Sequence, residues 1–221
     1  GAPWAAETVM VLRDIALAEL TGAHVHIAHV SARQSVAAVR RAKERGLSVT
    51  AEAAPHHFCL CDADITGRDA DFKMNPPLRA AEDRRALQEG LADGTIDAVA
   101  SDHAPHAPGK KALGLGAAPV GIIGLETSLA LVLTVLVGRK MLDRRRAIGL
   151  MSTAPARILG LKGKGSLRPG SDADVTVIAP EVRWTVPGRF LSKSRNSPFT
   201  GMRLQGRARA TVVGGRIVHA L

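Results

Sequence analysis

Tyrosine is absent from this 221-residue chain, and aromatic residues of every kind amount to 3% of it. Its core must therefore be built from Ala, Val, Leu and Ile, within a hydrophobic share of 46% that is normal for a globular protein. The shortage of aromatics also weighs on the charge. A formal net charge of +10 would suit a polyanion partner. Nucleic-acid surfaces, however, interleave basic residues with aromatics that stack on bases. Here the basic residues are dispersed, apart from Arg144-Arg145-Arg146, which reads as a solvated helix face. No nucleic-acid partner is expected.

Cysteine is almost as scarce, with only Cys59 and Cys61. One residue apart on an extended chain, they point the same way and are too close in sequence for an ordinary disulfide. Although His56 and His57 adjoin them, the C-x2-C knuckle of a zinc cluster is missing, so the thiols read as packing residues. Two thiols and no secretory signal fit a reducing, cytoplasmic setting. Long apolar runs are lacking too, since none approaches the roughly 18 residues that span a bilayer. The longest, from Leu125 to Val137, is interrupted by Glu126, Thr127, Ser128 and Thr134, and reads as a buried helix. No membrane partner is expected.

What the chain does contain is an alternation of elements. A helix is predicted over 3–21, with Pro3 in its first turn and Gly22 at its end. A strand over 23–30 follows. Ser31 and Gln34 have capping-box spacing, which predicts a helix over 32–45 starting at Ser31. A second strand, 47–53, precedes a long loop, 54–80. A helix over 81–93 stops at Gly94, and a third strand covers 95–101. After another long loop, 103–123, helices are predicted at 124–138, 143–150 and 153–160. Strand alternating with helix is the pattern of a parallel sheet, and long loops after strand C-termini are where α/β barrels place their active sites. From residue 162 the texture changes to short β segments at 173–178, 182–186 and 208–219, with Gly214-Gly215 as a hairpin turn. Residues 162–221 are expected to form a small β region beside the α/β part, 1–161.

The chemistry concentrates at strand ends. In VASDHAPH, residues 99–106, an apolar run delivers Asp102 to a strand tip and breaks at Pro105, as a barrel enzyme presents a catalytic carboxylate that ligates a metal, moves a proton, or does both. In HVHIAHVS, residues 24–31, strand alternation places Val25, Ile27 and His29 on one side, with His29 nearest the tip, where a barrel metal ligand belongs. His24 and His26 fall on the other side and read as ordinary hydrogen-bonded histidines facing the helix layer. Glu52 is a carboxylate inside a strand and needs a partner if buried. His56 and His57, past Pro55, are ligands, substrate contacts or loop braces. Asn75, before Pro76-Pro77, offers both donor and acceptor groups, suited to an amide-bearing substrate or simply to capping a turn.

Taken together and in order, HVHIAHVS, TAEAAPHHF (50–58), KMNPPLR (73–79), VASDHAPH and GIIGLET (121–127) resemble the bacterial dihydroorotases of the amidohydrolase superfamily. SDADVTVI (171–178) and SKSRNSPFTG (192–201) resemble that family's C-terminal β region, so the likeness covers essentially the whole chain. The resemblance implies a fold: an α/β chain forming the C-terminal portion of a (β/α)8 TIM barrel, about strands six to eight, plus a small β-rich region. It implies a reaction, the zinc-dependent reversible cyclisation of N-carbamoyl-L-aspartate to dihydroorotate in pyrimidine biosynthesis. It implies roles as well: His29 as a zinc ligand, Asp102 as metal-linked general acid/base, and Asn75, His106 and the Pro119-Val120-Gly121 loop as substrate contacts. The family often has Phe where this chain has Val120. The family's remaining ligands, a His-x-His pair, a bridging acid or modified lysine and a further histidine, belong to strands that this sequence does not contain. The expected partners are therefore the N-terminal half of the barrel, and a second copy of the chain or an aspartate transcarbamoylase. Two other readings stand beside this one: a non-catalytic dihydroorotase-like partner of that transcarbamoylase, and a related hydantoinase, dihydropyrimidinase or allantoinase.

Overall fold

The fold is built as expected from helices laid against one face of a short parallel sheet. A computed structural model of the chain describes residues 2–67 and 69–221. Helix α1 (Trp4–Thr21) buries Thr8, Val11, Ile15 and Ala18, which recur every three or four residues, and ends at Gly22 in the left-handed region. Strands β1 (Val25–Ile27), β2 (Val49–Ala53) and β3 (Ala98–Val99) run parallel in the order β1-β2-β3. The register sets Val25 against Val49 and Glu52 against Ala98. Helices α2 (Arg33–Glu44) and α4 (Ala81–Asp93) connect them, with a short helix α3 (Pro55–Cys59) after β2.

The strands are shorter than the sequence predicts. The strands stop short of His29 and Asp102, and both of these residues adopt positive φ, 53° and 46°. The expected cap at Ser31 also fails. Ala32 holds the N-cap position of α2 with no side-chain cap bond. The Ser31 hydroxyl instead donates to Glu7 and accepts from Arg79 Nε at 2.8 Å.

The loop after β3 carries two short helices, α5 (Pro108–Lys111) and α6 (Gly114–Ala117). The predicted 124–138 helix begins only at Ser128: α7 (Ser128–Leu131) widens into a π-helical stretch, Val132–Val137. Helices α8 (Arg144–Met151) and α9 (Thr153–Ile158) follow. The helix layer and the sheet share one apolar core, in which Val11, Ile15, Val36, Leu87, Leu91 and Leu136 meet Ile27, Val49, Ala51, Ala53 and Val99.

The last third is an antiparallel sheet, β4 (Val175–Thr185), β5 (Arg203–Val213) and β6 (Arg216–Ala220), in that order. The two segments expected at 173–178 and 182–186 are one irregular strand, β4. Gly214-Gly215 makes the β5–β6 turn, both residues at positive φ. A second core joins this sheet to the α/β part, through Val186, Phe199 and Leu204 packed with Leu60, Met74, Ile122 and Leu131. Among the described residues β1 and β3 each have a single strand neighbour, so the parallel sheet is open at both edges.

Candidate active site

Strand alternation assigns the two faces of the sheet, and the assignment reverses the one drawn from sequence for β1. Val25, Ile27, Val49, Ala51 and Ala53 face the helices. His24 and His26 face the opposite way, with Thr50 and Glu52. They are hydrogen-bonded, as expected: His24 Nε2 and His26 Nδ1 pair with Thr50 Oγ1 at 2.9 and 2.8 Å, and His26 Nε2 donates to Glu52 Oε2 at 3.2 Å. His29 does not follow Ile27 to the helix side. The strand has ended, and the positive φ at His29 turns its ring to Glu52 and Asp102 on the polar face.

The strand tips bring four side chains together. His29 Nδ1 lies 2.9 Å from Glu52 Oε1, off the line of a good hydrogen bond, and His29 Nε2 lies 3.6 Å from Asp102 Oδ1. Asp102 Oδ2 is 3.7 Å from His56 Nε2 on α3. Glu52 is the hub, with His26 on one oxygen and His29 on the other. Burial alone would raise its carboxyl, but the two imidazoles hold it down at about 2. The Glu52 carboxylate raises His29 against the opposing effect of burial. Burial raises Asp102, with His29 opposing. Burial also depresses His56 well below the ordinary histidine value, so that ring is neutral at pH 7. His57, held at about 4 by burial, donates Nε2–H to Pro76 O at 2.8 Å and braces the loop. Of the alternatives open for these two histidines, His57 is a brace and His56 faces the carboxylate.

The predicted substrate contacts lie on two loops beside this cluster. Asn75 is exposed and lines a cleft of about 690 Å3 with Lys73 and Val120. His106 lines a smaller cleft of about 280 Å3 with Lys111 and Asn196. The Pro119–Gly121 segment separates the two: Gly121 N–H donates to Lys73 O at 2.8 Å, and His106 Nε2–H donates to Val120 O at 2.8 Å. Asn75 and His106 thus sit on opposite sides of one short rim, and neither pairs with the strand-tip cluster.

Three residues of this neighbourhood escaped prediction as site residues. Glu52 was legible as a carboxylate needing a partner. Lys111, buried, donates to Pro119 O and Gly121 O at 3.2 and 3.0 Å. Asn196 carried no local signal beyond its place in SKSRNSPFTG.

His56 Nε2 and Asp102 Oδ2 are buried without a hydrogen-bond partner. Uncommitted nitrogen and carboxylate donors of this kind suit a borderline cation. No group of three or more His, Cys, Asp or Glu converges to hold a metal among the described residues. His29 and Asp102 therefore fit part of a ligand set and do not complete one.

Residues 5–218 match the model of the amidohydrolase family. A dihydroorotase from Pelotomaculum thermopropionicum is 54% identical over 219 residues, which are 99% of this chain and 51% of that protein. A dihydroorotase from Anaeromyxobacter sp. is 54% identical over 222 residues, with the same coverage. Among solved structures, the dihydropyrimidinase from Brevibacillus agri superposes with a TM-score of 0.91 at 28% identity, over 99% of this chain and 49% of that one. The L-hydantoinase from Arthrobacter aurescens gives 0.87 at 32%, over 95% and 48%. The chain spans about half the length of the curated relatives it matches. With its fold, its strand-tip acid and histidine, and a family match over nearly all its residues, the chain belongs to the amidohydrolase family.

Proposed function

We propose that this chain is the C-terminal portion of a zinc-dependent dihydroorotase, carrying barrel strands six to eight as β1 to β3, with a boundary to the β-rich region near residue 162. One observation carries the reading: His29 and Asp102, on tips two strands apart, are turned toward each other at 3.6 Å by positive φ. Identity of 54% to dihydroorotases, against 28% and 32% to the dihydropyrimidinase and hydantoinase structures, supports this substrate over theirs.

In this reading His29 and Asp102 would hold the metal together with ligands from the rest of the barrel. Zinc, when bound, supplies Lewis acidity that activates water and polarises the ring carbonyl. Asp102 is the general acid/base. As water adds to the cyclic amide, the carboxylate takes its proton and delivers it to the departing ring nitrogen. In cyclisation it removes a proton from the carbamoyl nitrogen. Glu52 fixes the orientation of His29, as a carboxylate behind a metal-binding histidine does. Asn75, His106 and the backbone of Pro119, Val120 and Gly121 hold the substrate, with His106 toward its carboxylate.

The test uses the full reading frame that contains this chain. The protein should turn over dihydroorotate faster than dihydrouracil or hydantoin. Asp102→Asn should lose about 100- to 10,000-fold in turnover even when metal is retained. Preference for dihydrouracil or hydantoin would favour the related cyclic-amide hydrolases instead. Near-normal turnover by Asp102→Asn would remove Asp102 from the chemical step.

A further inference from the structure

We propose that Asn196, a residue of the C-terminal β region, is the positioning residue that sets the substrate rim, acting through His106 and Gly121. The proposal rests on the dihydroorotase reading for its substrate and on geometry for everything else. Asn196 is 2% exposed, and its amide is fully committed. Oδ1 accepts the His106 backbone N–H at 3.1 Å. Nδ2 donates to Ala104 O at 3.0 Å and to Gly121 O at 2.9 Å. Its backbone carbonyl accepts Ile123 N–H at 3.0 Å. One side chain thus ties the loop after β3 to the loop before α7.

The two loops leave no slack. A Cβ on Gly121 would lie 2.8 Å from Ala104 O and 2.9 Å from the His106 ring, and Gly121 holds a φ of +148°. The His106 ring is in turn fixed by Val120 O. A planar amide with an acceptor oxygen and two donors matches these three backbone groups, and a methyl in its place would leave His106 N–H and Ala104 O unpaired and Gly121 O with Lys111 Nζ alone. Asn196 contacts neither His29 nor Asp102 through any hydrogen bond or ion pair among the described residues. Its effect should therefore fall on substrate binding and spare the chemical step.

The experiment compares wild type, Asn196→Ala, His106→Ala and the double variant in the full reading frame, with dihydroorotate as substrate. Asn196→Ala should raise KM about tenfold, the equivalent of one or two lost hydrogen bonds, and leave kcat nearly unchanged. The double variant should lose less than the sum of the two single losses, because Asn196 acts in part through the His106 ring and coupled residues are not additive. A wild-type KM in Asn196→Ala, a loss confined to kcat, or additive losses in the double variant would each overturn the proposal. If Asn196→Ala does not fold, the isosteric Asn196→Asp carries the same test: it keeps the acceptor for His106 N–H and loses both donations. If the wild type does not turn over dihydroorotate, the functional reading fails by itself. Positioning is then decided by the His106 ring NMR signals, assigned through their absence in His106→Ala. Their displacement in Asn196→Ala supports the proposal, and unmoved signals refute it.

Discussion

Replacing Glu7 with alanine should loosen the segment that follows His29, through a carboxylate with no part in the chemistry. Glu7 Oε1 accepts Ser31 N–H and Ala32 N–H, both at 3.0 Å, and Oε2 accepts the Ser31 hydroxyl. Arg79 Nη2 lies 3.4 Å from Oε2, with the two side chains only 9% and 12% exposed. Glu7→Ala strands two backbone donors and the Ser31 hydroxyl proton, and it removes the ion-pair partner of Arg79, which keeps Ser31 Oγ and Ala2 O as acceptors. Each stranded buried group costs about 1–3 kcal/mol, and removing one member of a buried ion pair about 3–5 kcal/mol. Water entering the gap offsets part of this, so a local loss of about 3–4 kcal/mol is expected. That loss corresponds to about 100- to 1,000-fold faster amide exchange. Glu7→Gln keeps one acceptor oxygen and should lose about 1–2 kcal/mol.

Hydrogen exchange read by mass spectrometry on a peptide covering residues 29–36 measures this directly. Unchanged protection there in Glu7→Ala would refute the brace. The brace also has a pH signature. Burial alone would raise the Glu7 carboxyl, but the Ser31 hydroxyl and the Ala32 and Ser31 N–H groups outweigh it and hold it below its ordinary value of 4.5. A group depressed on folding stabilises fully above its unfolded value, and its contribution is lost as pH falls through its folded one. Protection of 29–36 should therefore decline as the pH drops below about 4.5. Glu7→Gln should flatten that decline.

Three further outcomes are expected. The chain as given should bind zinc at well under one equivalent, since a zinc site needs about three or four protein ligands and only His29 and Asp102 are in place; metal analysis after dialysis checks it, and stoichiometric zinc would refute it. The same chain should self-associate, because the strand edges are open and α1 exposes Val9, Met10, Leu12, Leu17 and Leu20; a stable monomer in analytical ultracentrifugation would count against this. Gly206→Ala should lower the melting temperature, since its Cβ would lie 2.2 Å from Leu133 Cδ1 at a φ of +92°, whereas Gly188→Ala, with nothing within 4 Å, should not.

Helix periodicity, the glycines that end α1 and α4, and the strand-helix alternation were legible because each is a local signal repeated over many residues. The face occupied by His29 was not. Alternation predicts a side chain's direction only while the backbone stays extended, and a positive φ at one non-glycine residue reversed the outcome. The predicted cap at Ser31 failed for a related reason: its hydroxyl met Glu7, 24 positions away in sequence, before it could serve its own helix. Asp102 and His29 were legible as strand-end residues, and they lie 3.6 Å apart at the strand tips. Asn196 was invisible as a rim residue because every group it binds lies 73 or more residues earlier in the chain.

That distance has a consequence for how the protein is made. On a growing chain the strands carrying His29, Glu52 and Asp102 are synthesised long before the loop that bears Asn196, and N-terminal elements fold first. The core that β1 to β3 share with α1, α2, α4 and α8 draws on nothing after residue 151, so these elements can dock before the rest is made. The loops around His106 and Gly121 must wait for residues 186–204, which supply both Asn196 and the apolar wedge of Val186, Phe199 and Leu204. Synthesis therefore delivers the acid and histidine of the strand tips before the tie between the two loops, and a stall or cut just before residue 196 would leave the loops around His106 and Gly121 without it.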